Sequence, residues 1–215
     1  MTRLDYITSL CSQYNSLVDV GTDHGFVPIK AIRDYNLSYA YALDINEGPL
    51  LNAKNNIAKE GLGDKIETIL SDGLLSFDKN VDAIVIAGMG GILIKKIIEA
   101  SLDKALSSKA LILSPNKEEA LLRKFLINNG FVIEAEHILK EKGHYYEIIK
   151  AIPGKKNYTS LDILYGPYLR IEKSELFISK WKGKLQILEE AYKACSTMEK
   201  KNQILDEINS IKEVL

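Results

Sequence analysis

The side chains best suited to chemistry in this 215-residue chain stand directly after short apolar runs. The first group is Asp19-Val20-Gly21-Thr22-Asp23-His24-Gly25, which follows Leu17-Val18. Glycine tolerates positive φ and lets a backbone approach a ligand closely. The spacing is not GxGxxG, so the diphosphate cradle of a dinucleotide site is missing. Asp44 closes the second run, 23 residues after Gly21, where a carboxylate can accept the hydroxyls of a ribose. Asp72-Gly73 follows the third run, and an acid there can accept from an adenine amino group. Taken singly, each motif also fits a tight turn or a helix cap. Three acids after three successive runs fit a nucleoside site with no phosphate clamp. Gly88-Met89-Gly90-Gly91 follows the fourth run and removes side-chain bulk where a flat ring can lie. It equally fits close contact between a helix and a sheet. It stands where many amino-methylating enzymes carry Asn/Asp-Pro-Pro-aromatic.

The elements that must position these residues follow from the pattern around them. Leu17–Val20, Ser38–Leu43, Ile66–Leu70, Asp82–Ala87 and Ala110–Leu113 are short runs bounded by Gly, Pro or Asp. Such runs read as buried parallel strands. Between them, residues 26–35, 47–60, 91–101 and 117–129 read as helices, with Gly61 and Gly130 as C-terminal stops. The alternation predicts an α/β, doubly wound, Rossmann-type sheet, whose ligands sit at the carboxyl ends of the strands. Phe131–Leu139 and His144–Ala151 predict an antiparallel hairpin at the sheet edge, turning at Lys142-Gly143. Residues 3–11 predict a short leading helix. After residue 152 the pattern changes. Phe177, Trp181, Leu185, Leu188, Tyr192 and Cys195 recur at helical spacing, as do Ile204, Ile208, Ile211 and Leu215. They predict an antiparallel helical hairpin with coiled-coil contacts, its second helix opened by a capping box at Ser196 and Glu199. The expected division is residues 1–152 for the sheet domain and 153–215 for the helical domain.

Composition narrows the function classes. Two cysteines far apart, and three histidines without HExxH-like spacing, leave no disulfide framework and no metal-ligand cluster. No stretch is long and apolar enough to cross a membrane, and the N-terminus has no leader pattern, so a soluble cytoplasmic protein is expected. The net charge of -1 neither favours nor excludes nucleic acid. Residues 152–215 carry eleven Lys/Arg against nine Asp/Glu. Arg170, Lys173, Lys180, Lys182 and Lys184 cluster there and can meet phosphates, although a solvated helix face explains any one of them equally well. A nicotinamide-dependent oxidoreductase suits Asp44 but not the first loop. A non-catalytic nucleoside-binding protein, using the helical hairpin as a partner surface, is the other alternative.

Five stretches carry a resemblance: VDVGTDHGFVP at 18–28, AIVIAGMGG at 83–91, SPNKEEALLR at 114–123, GHYYEI at 143–148 and GPYL at 166–169. They resemble the bacterial TrmK family of tRNA (adenine(22)-N1)-methyltransferases over nearly the whole chain. The resemblance implies a class I methyltransferase domain, a C-terminal coiled coil, S-adenosylmethionine as donor and a tRNA adenine as acceptor. It places Asp19, Gly21, Asp23, Asp44, Asp72 and Gly73 around the cofactor, and Thr22, Gly25, Ile45 and Gly88 are expected beside them. The resemblance places Gly88, Met89 and Asn116 on the acceptor side; Gly90 is expected there too, and the charge cluster puts Arg170, Lys173 and Lys180 toward tRNA. No obligate protein partner is implied.

Adenine N1 carries an in-plane lone pair and can attack a sulfonium methyl without prior deprotonation. The enzyme's task is then mainly positioning and exclusion of water. The methylated ring is cationic until its amino group loses a proton. Asp23, on the loop facing the methyl, is the candidate for stabilising that charge or taking the proton. A capping or cofactor-positioning role for Asp23 is the competing reading. A paired base cannot present N1, so the target must be unpaired or flipped out.

Overall fold

The computed structural model describes all 215 residues. The chain runs α1 (Arg3–Leu10), β1 (Ser16–Val20), α2 (Phe26–Tyr35), β2 (Tyr39–Asp44), α3 (Glu47–Lys59), β3 (Ile66–Leu70) and β4 (Ala83–Ala87). It continues through α4 (Gly91–Glu99), α5 (Leu102–Ser107), β5 (Ala110–Ser114), α6 (Glu119–Asn128), β6 (Phe131–Glu141) and β7 (His144–Pro153). Four helices close it: α7 (Ser160–Tyr165), α8 (Leu169–Glu172), α9 (Glu175–Ala194) and α10 (Met198–Val214). The seven strands form one sheet in the order β3-β2-β1-β4-β5-β7-β6. The first five are parallel, and β7 joins β5 and β6 antiparallel.

Strand side chains alternate between two faces, and each face finds its own cover. Val18, Val20, Ile84, Ile86, Leu111 and Leu113 share a core with Ile94 and Ile98 of α4 and Leu122, Phe125 and Leu126 of α6. Leu17, Ala40, Ala42, Val85 and Ile112 share the other with Ile7 of α1, Ile29 and Ile32 of α2, and Ala53 and Ile57 of α3. Both faces being buried explains why the strands read as continuous apolar runs. A third cluster holds Tyr165, Leu169, Phe177, Leu188, Ile208, Ile211 and Val214 against Ile138 of β6.

Several details depart from the sequence expectations. Asp44 is the last residue of β2, not a residue beyond it. The helix expected over 91–101 ends at Glu99, and a separate short helix, α5, follows. The short helices α7 and α8 lie where no element was expected. The expected capping box at Ser196 does not form, because Thr197 is the N-cap of α10 and makes no side-chain cap bond. Capping boxes occur instead at Thr2 with Asp5 and at Thr159 with Asp162. Val214 is buried with Ile211, where Leu215 was expected, and Cys195 lies beyond the end of α9. No helix is long and apolar enough to cross a membrane.

Candidate active site

The sheet order reverses at β1, whose chain leaves toward β2 while β4 lies on its other side. A crevice opens at the carboxyl ends of the strands at such a point. Register brings the strand ends level: Val20 pairs with Leu43 and Ile86, Asp44 with Leu70, and Ala87 with Ser114. The amides of Gly21 and Thr22 both donate to the Leu43 carbonyl at 2.8 Å, which hooks the first loop onto β2. Gly21 has φ +80°, and a side chain there would overlap the terminal methyl of Met89. The positive φ is what calls for glycine, since the Met89 methyl ends a flexible side chain and can move aside.

The cleft at this point has a volume of 160 Å³ and includes Arg3, Asp19, Gly21, Thr22, Asp23, His24 and Gly88. Larger cavities lie elsewhere, of 470 and 670 Å³ beside α9, so size does not select the site. Chemistry does. Asp19 is buried on β1 with no ion-pair partner. Burial pushes its carboxyl up to about 6, against the Thr22 hydroxyl, which lowers it, while the Asp44 charge adds to the rise. A buried acid without a cation is costly unless a ligand supplies one. Asp44 spends Oδ1 on the Asn46 amide at 2.8 Å and the Asn46 side chain at 3.3 Å, leaving Oδ2 free to accept. Asp72 follows the Ser71 amide, which donates to the Asp44 carbonyl at 2.9 Å, and its exposed carboxylate makes no side-chain bond. Ile45 is 59% exposed beside them, an apolar face level with the two acids. These acceptor types fit a nucleoside linked to a cationic group.

Asp23 stands at the mouth, and His24 Nε2 lies 3.1 Å from its Oδ2. The His24 ring stacks on Phe26 with centroids 5.1 Å apart. Across the cleft, Asn116 braces the glycine turn. Its Nδ2 donates to the Gly88 carbonyl at 2.7 Å, and its amide donates to the Met89 carbonyl at 2.8 Å. Its Oδ1 accepts from Arg3 Nη1 at 3.2 Å.

The family model for tRNA (adenine(22)-N(1))-methyltransferases matches residues 17–213. The chain is 36% identical to the tRNA (adenine(22)-N(1))-methyltransferase of Bacillus subtilis (strain 168), covering 99% of this chain and 95% of the relative. The chain belongs to the TrmK family. A Streptococcus pneumoniae protein crystallised in complex with S-adenosyl-L-methionine superposes with a TM-score of 0.92 at 39% identity, covering 99% of this chain and 98% of that one. A TrmK from M. capricolum, in complex with S-adenosyl-homocysteine, superposes with a TM-score of 0.90 at 28% identity over 99% of this chain and 96% of that one.

Within this family member, the structure gathers Asp19, Gly21, Thr22, Asp23 and Gly88 in one cleft, with Asp44, Ile45 and Asp72 along the adjacent strand ends. Other predicted positions also have roles within the fold. Gly25 is the N-cap of α2, where an added Cβ would meet Ala53 of α3. Gly73 is tight against Ile97 of α4. Gly90 caps α4. Thr22 is occupied in part, its Oγ1 accepting from the Gly25 amide at 3.2 Å.

Two of the three residues expected at tRNA phosphates form ion pairs within the protein. Lys180 Nζ is 2.7 Å from Glu147 and 3.1 Å from Glu119, and Arg170 Nε is 2.6 Å from Asp162. Each therefore faces a carboxylate of the protein itself. Lys173, the C-cap of α8, has no ion pair and stays exposed. Sequence reasoning missed Arg3 at the cleft and a buried charge network at the hairpin. In that network Arg123 lies between Glu136, at 2.6 Å, and Glu147, and Lys180 closes the far side of Glu147. Arg123, Glu147 and Gly166 belong to three of the motifs that carry the family resemblance, and all three converge here. A Cβ at Gly166 would fall 2.6 Å from Glu136, so the glycine lets the turn before α8 close over the ion pair.

Proposed function

We propose that this enzyme transfers the methyl group of S-adenosylmethionine to N1 of an adenine in tRNA, with Asp19, Asp44 and Asp72 holding the donor and Asp23 facing the acceptor. Membership of the family supports the reaction. The observation that carries the site is the level row of strand ends, where a buried, unpaired acid adjoins two free carboxylates and a glycine turn. Bound there, S-adenosylmethionine supplies an electrophilic methyl on a sulfonium. Asp44 Oδ2 is placed to accept from the ribose hydroxyls, and Asp72 from the adenine amino group. The Asp19 carboxylate balances the positive charge of the amino-acid end. The turn at Gly88–Gly91, held by Asn116, leaves a flat space for the target ring. Adenine N1 needs no base to become nucleophilic, so positioning is the main contribution. Asp23 then faces the charge that builds on the ring and can accept its amino proton.

The test is transfer of labelled methyl from S-adenosylmethionine to bulk tRNA by the purified protein, with the tRNA digested to nucleosides. Label in 1-methyladenosine is the expected result. No transfer to tRNA, or tighter binding of NAD than of S-adenosylmethionine, overturns the proposal.

A further inference from the structure

Arg3 occupies a position that packing alone does not explain. It is the first residue of α1, where the helix dipole is positive and a cation is disfavoured. The acid of that turn, Asp5, closes the capping box with Thr2 and pairs with Lys30 at 3.0 Å. Arg3 itself has no carboxylate partner. Its guanidinium is nonetheless held firmly, lying 4.2 Å over the Tyr146 ring of β7 and donating to Asn116 Oδ1. A guanidinium has five N–H donors, and this contact uses one. Held on one side by a ring and an amide, Arg3 keeps unspent donors for a partner.

The place is equally specific. Arg3 borders the strand-end cleft together with Gly21, Asp23 and Gly88. Its two supports, Asn116 and Tyr146, border the 670 Å³ groove that runs past His144 and Lys117 to Trp181 and Lys184 of α9. Arg3 therefore marks the junction between the donor cleft, where the Gly88 turn faces the target base, and this groove. The groove is walled by Lys117, His144, Tyr145, Trp181 and Lys184 together with Glu119 and Glu207, of which Glu207 pairs with Lys184 at 3.5 Å. A nucleotide reaching into the cleft carries its phosphate to the rim, because base and phosphate are joined through a single sugar. Arginine suits phosphate through its planar fork of donors.

We propose that Arg3 binds the phosphodiester of the target nucleotide, and that the groove beyond it takes the adjoining RNA strand. The proposal rests on the tRNA methyltransferase reading above. Asn116 and Tyr146 are then positioning residues, which pre-orient Arg3 so that little side-chain freedom is lost on binding.

The experiment compares wild type, Arg3→Gln and Arg3→Lys in the full-length protein. It measures tRNA methylation at saturating S-adenosylmethionine, direct tRNA binding across a salt series, cofactor affinity and thermal unfolding. Arg3→Gln is expected to raise the KM for tRNA by roughly ten- to a hundredfold, as loss of a charge-assisted hydrogen bond requires. The logarithmic salt slope of tRNA binding should fall by about one. Cofactor affinity and melting temperature should stay at the wild-type values, and Arg3→Lys should restore the salt slope but only part of the KM. An unchanged KM and salt slope overturns the proposal. So does a parallel loss of folding or cofactor binding in Arg3→Gln, which makes Arg3 a structural staple of α1. A wild-type protein that binds tRNA without methylating it sinks the methyltransferase reading and leaves the Arg3 assignment to the binding arm. A wild type with no tRNA affinity sinks both.

Discussion

Asp19 lies at the point where folding and ligand binding make opposite demands on one carboxyl. Burial pushes its pKa up to about 6. The folded chain thus holds this proton more tightly than the unfolded chain, so stability from this group rises as pH falls through about 6 and is lost above it. Cofactor binding has the opposite sign, since a cationic ligand group favours the ionised acid. Cofactor affinity should fall as the pH is lowered through 6, measurable by calorimetry between pH 5 and 7.5. Asp19→Asn should melt no lower than wild type at pH 7.5, bind S-adenosylmethionine roughly tenfold or more weakly, and lose the pH dependence. Unchanged affinity removes Asp19 from the site. Asp44→Ala removes the free acceptor at the end of β2 and should weaken binding by about 1.5–3 kcal/mol. Asp23→Asn separates chemistry from binding. If Asp23 supports the adenine cation, single-turnover methylation at saturating cofactor should drop by roughly ten- to a thousandfold with far smaller change in affinity. Rate and affinity declining together would make Asp23 a cofactor-positioning residue.

At the scale of elements, α9 is held to the sheet edge by charge as well as by apolar packing. Lys180 of α9 reaches Glu147 of β7 and Glu119 of α6, and Glu147 also meets Arg123 of α6. Burial alone would raise both inner acids. Glu147 is nevertheless lowered, because Arg123 and Lys180 both face it, whereas Glu136 is raised by burial with only Arg123 as its cation. A depressed acid contributes stability above its unfolded pKa and loses it on acidification. Removing Arg123 leaves Glu136 buried without a cation and Glu147 with Lys180 alone. Arg123→Ala should therefore cost about 3–5 kcal/mol. Differential scanning calorimetry should show the melting temperature lower by roughly 6–20 °C, at about 2–4 °C per kcal/mol for a chain of this size. Arg123→Met combined with Glu136→Gln and Glu147→Gln should be milder, since no buried acid is left without a cation and Lys180 keeps Glu119. If the single variant melts like wild type, the network is not what docks the hairpin. The same pairs explain why the tail looked basic: part of its positive charge is an internal fastener.

For the whole molecule, the strand-end site lies before residue 120 and the tail forms one wall of the groove beside it. Tyr158 belongs with the sheet, since its hydroxyl bonds both the amide and the carbonyl of Ile133. A chain ending at Tyr158 should bind S-adenosylmethionine but methylate tRNA roughly tenfold or more slowly, because the groove loses Trp181 and Lys184. Full activity would show that the tail takes no part in RNA binding. The doubly wound sheet, the edge hairpin and the acids at the strand ends were all legible in the sequence. Each is a local signal: side chains alternate every two residues, glycines break runs, and a residue after a buried strand must emerge at its carboxyl end. The α7 and α8 helices were not legible, being too short to show a period. Nor was the pairing of charges. Arg3 meets Asn116 across 113 positions, and Lys180 meets Glu147 across 33. A lysine on an amphipathic helix has the same local pattern whether it faces water, phosphate or a buried glutamate. Only the folded chain chooses among them, because desolvation and partner distance set the energy of a charge, and both are properties of tertiary contact.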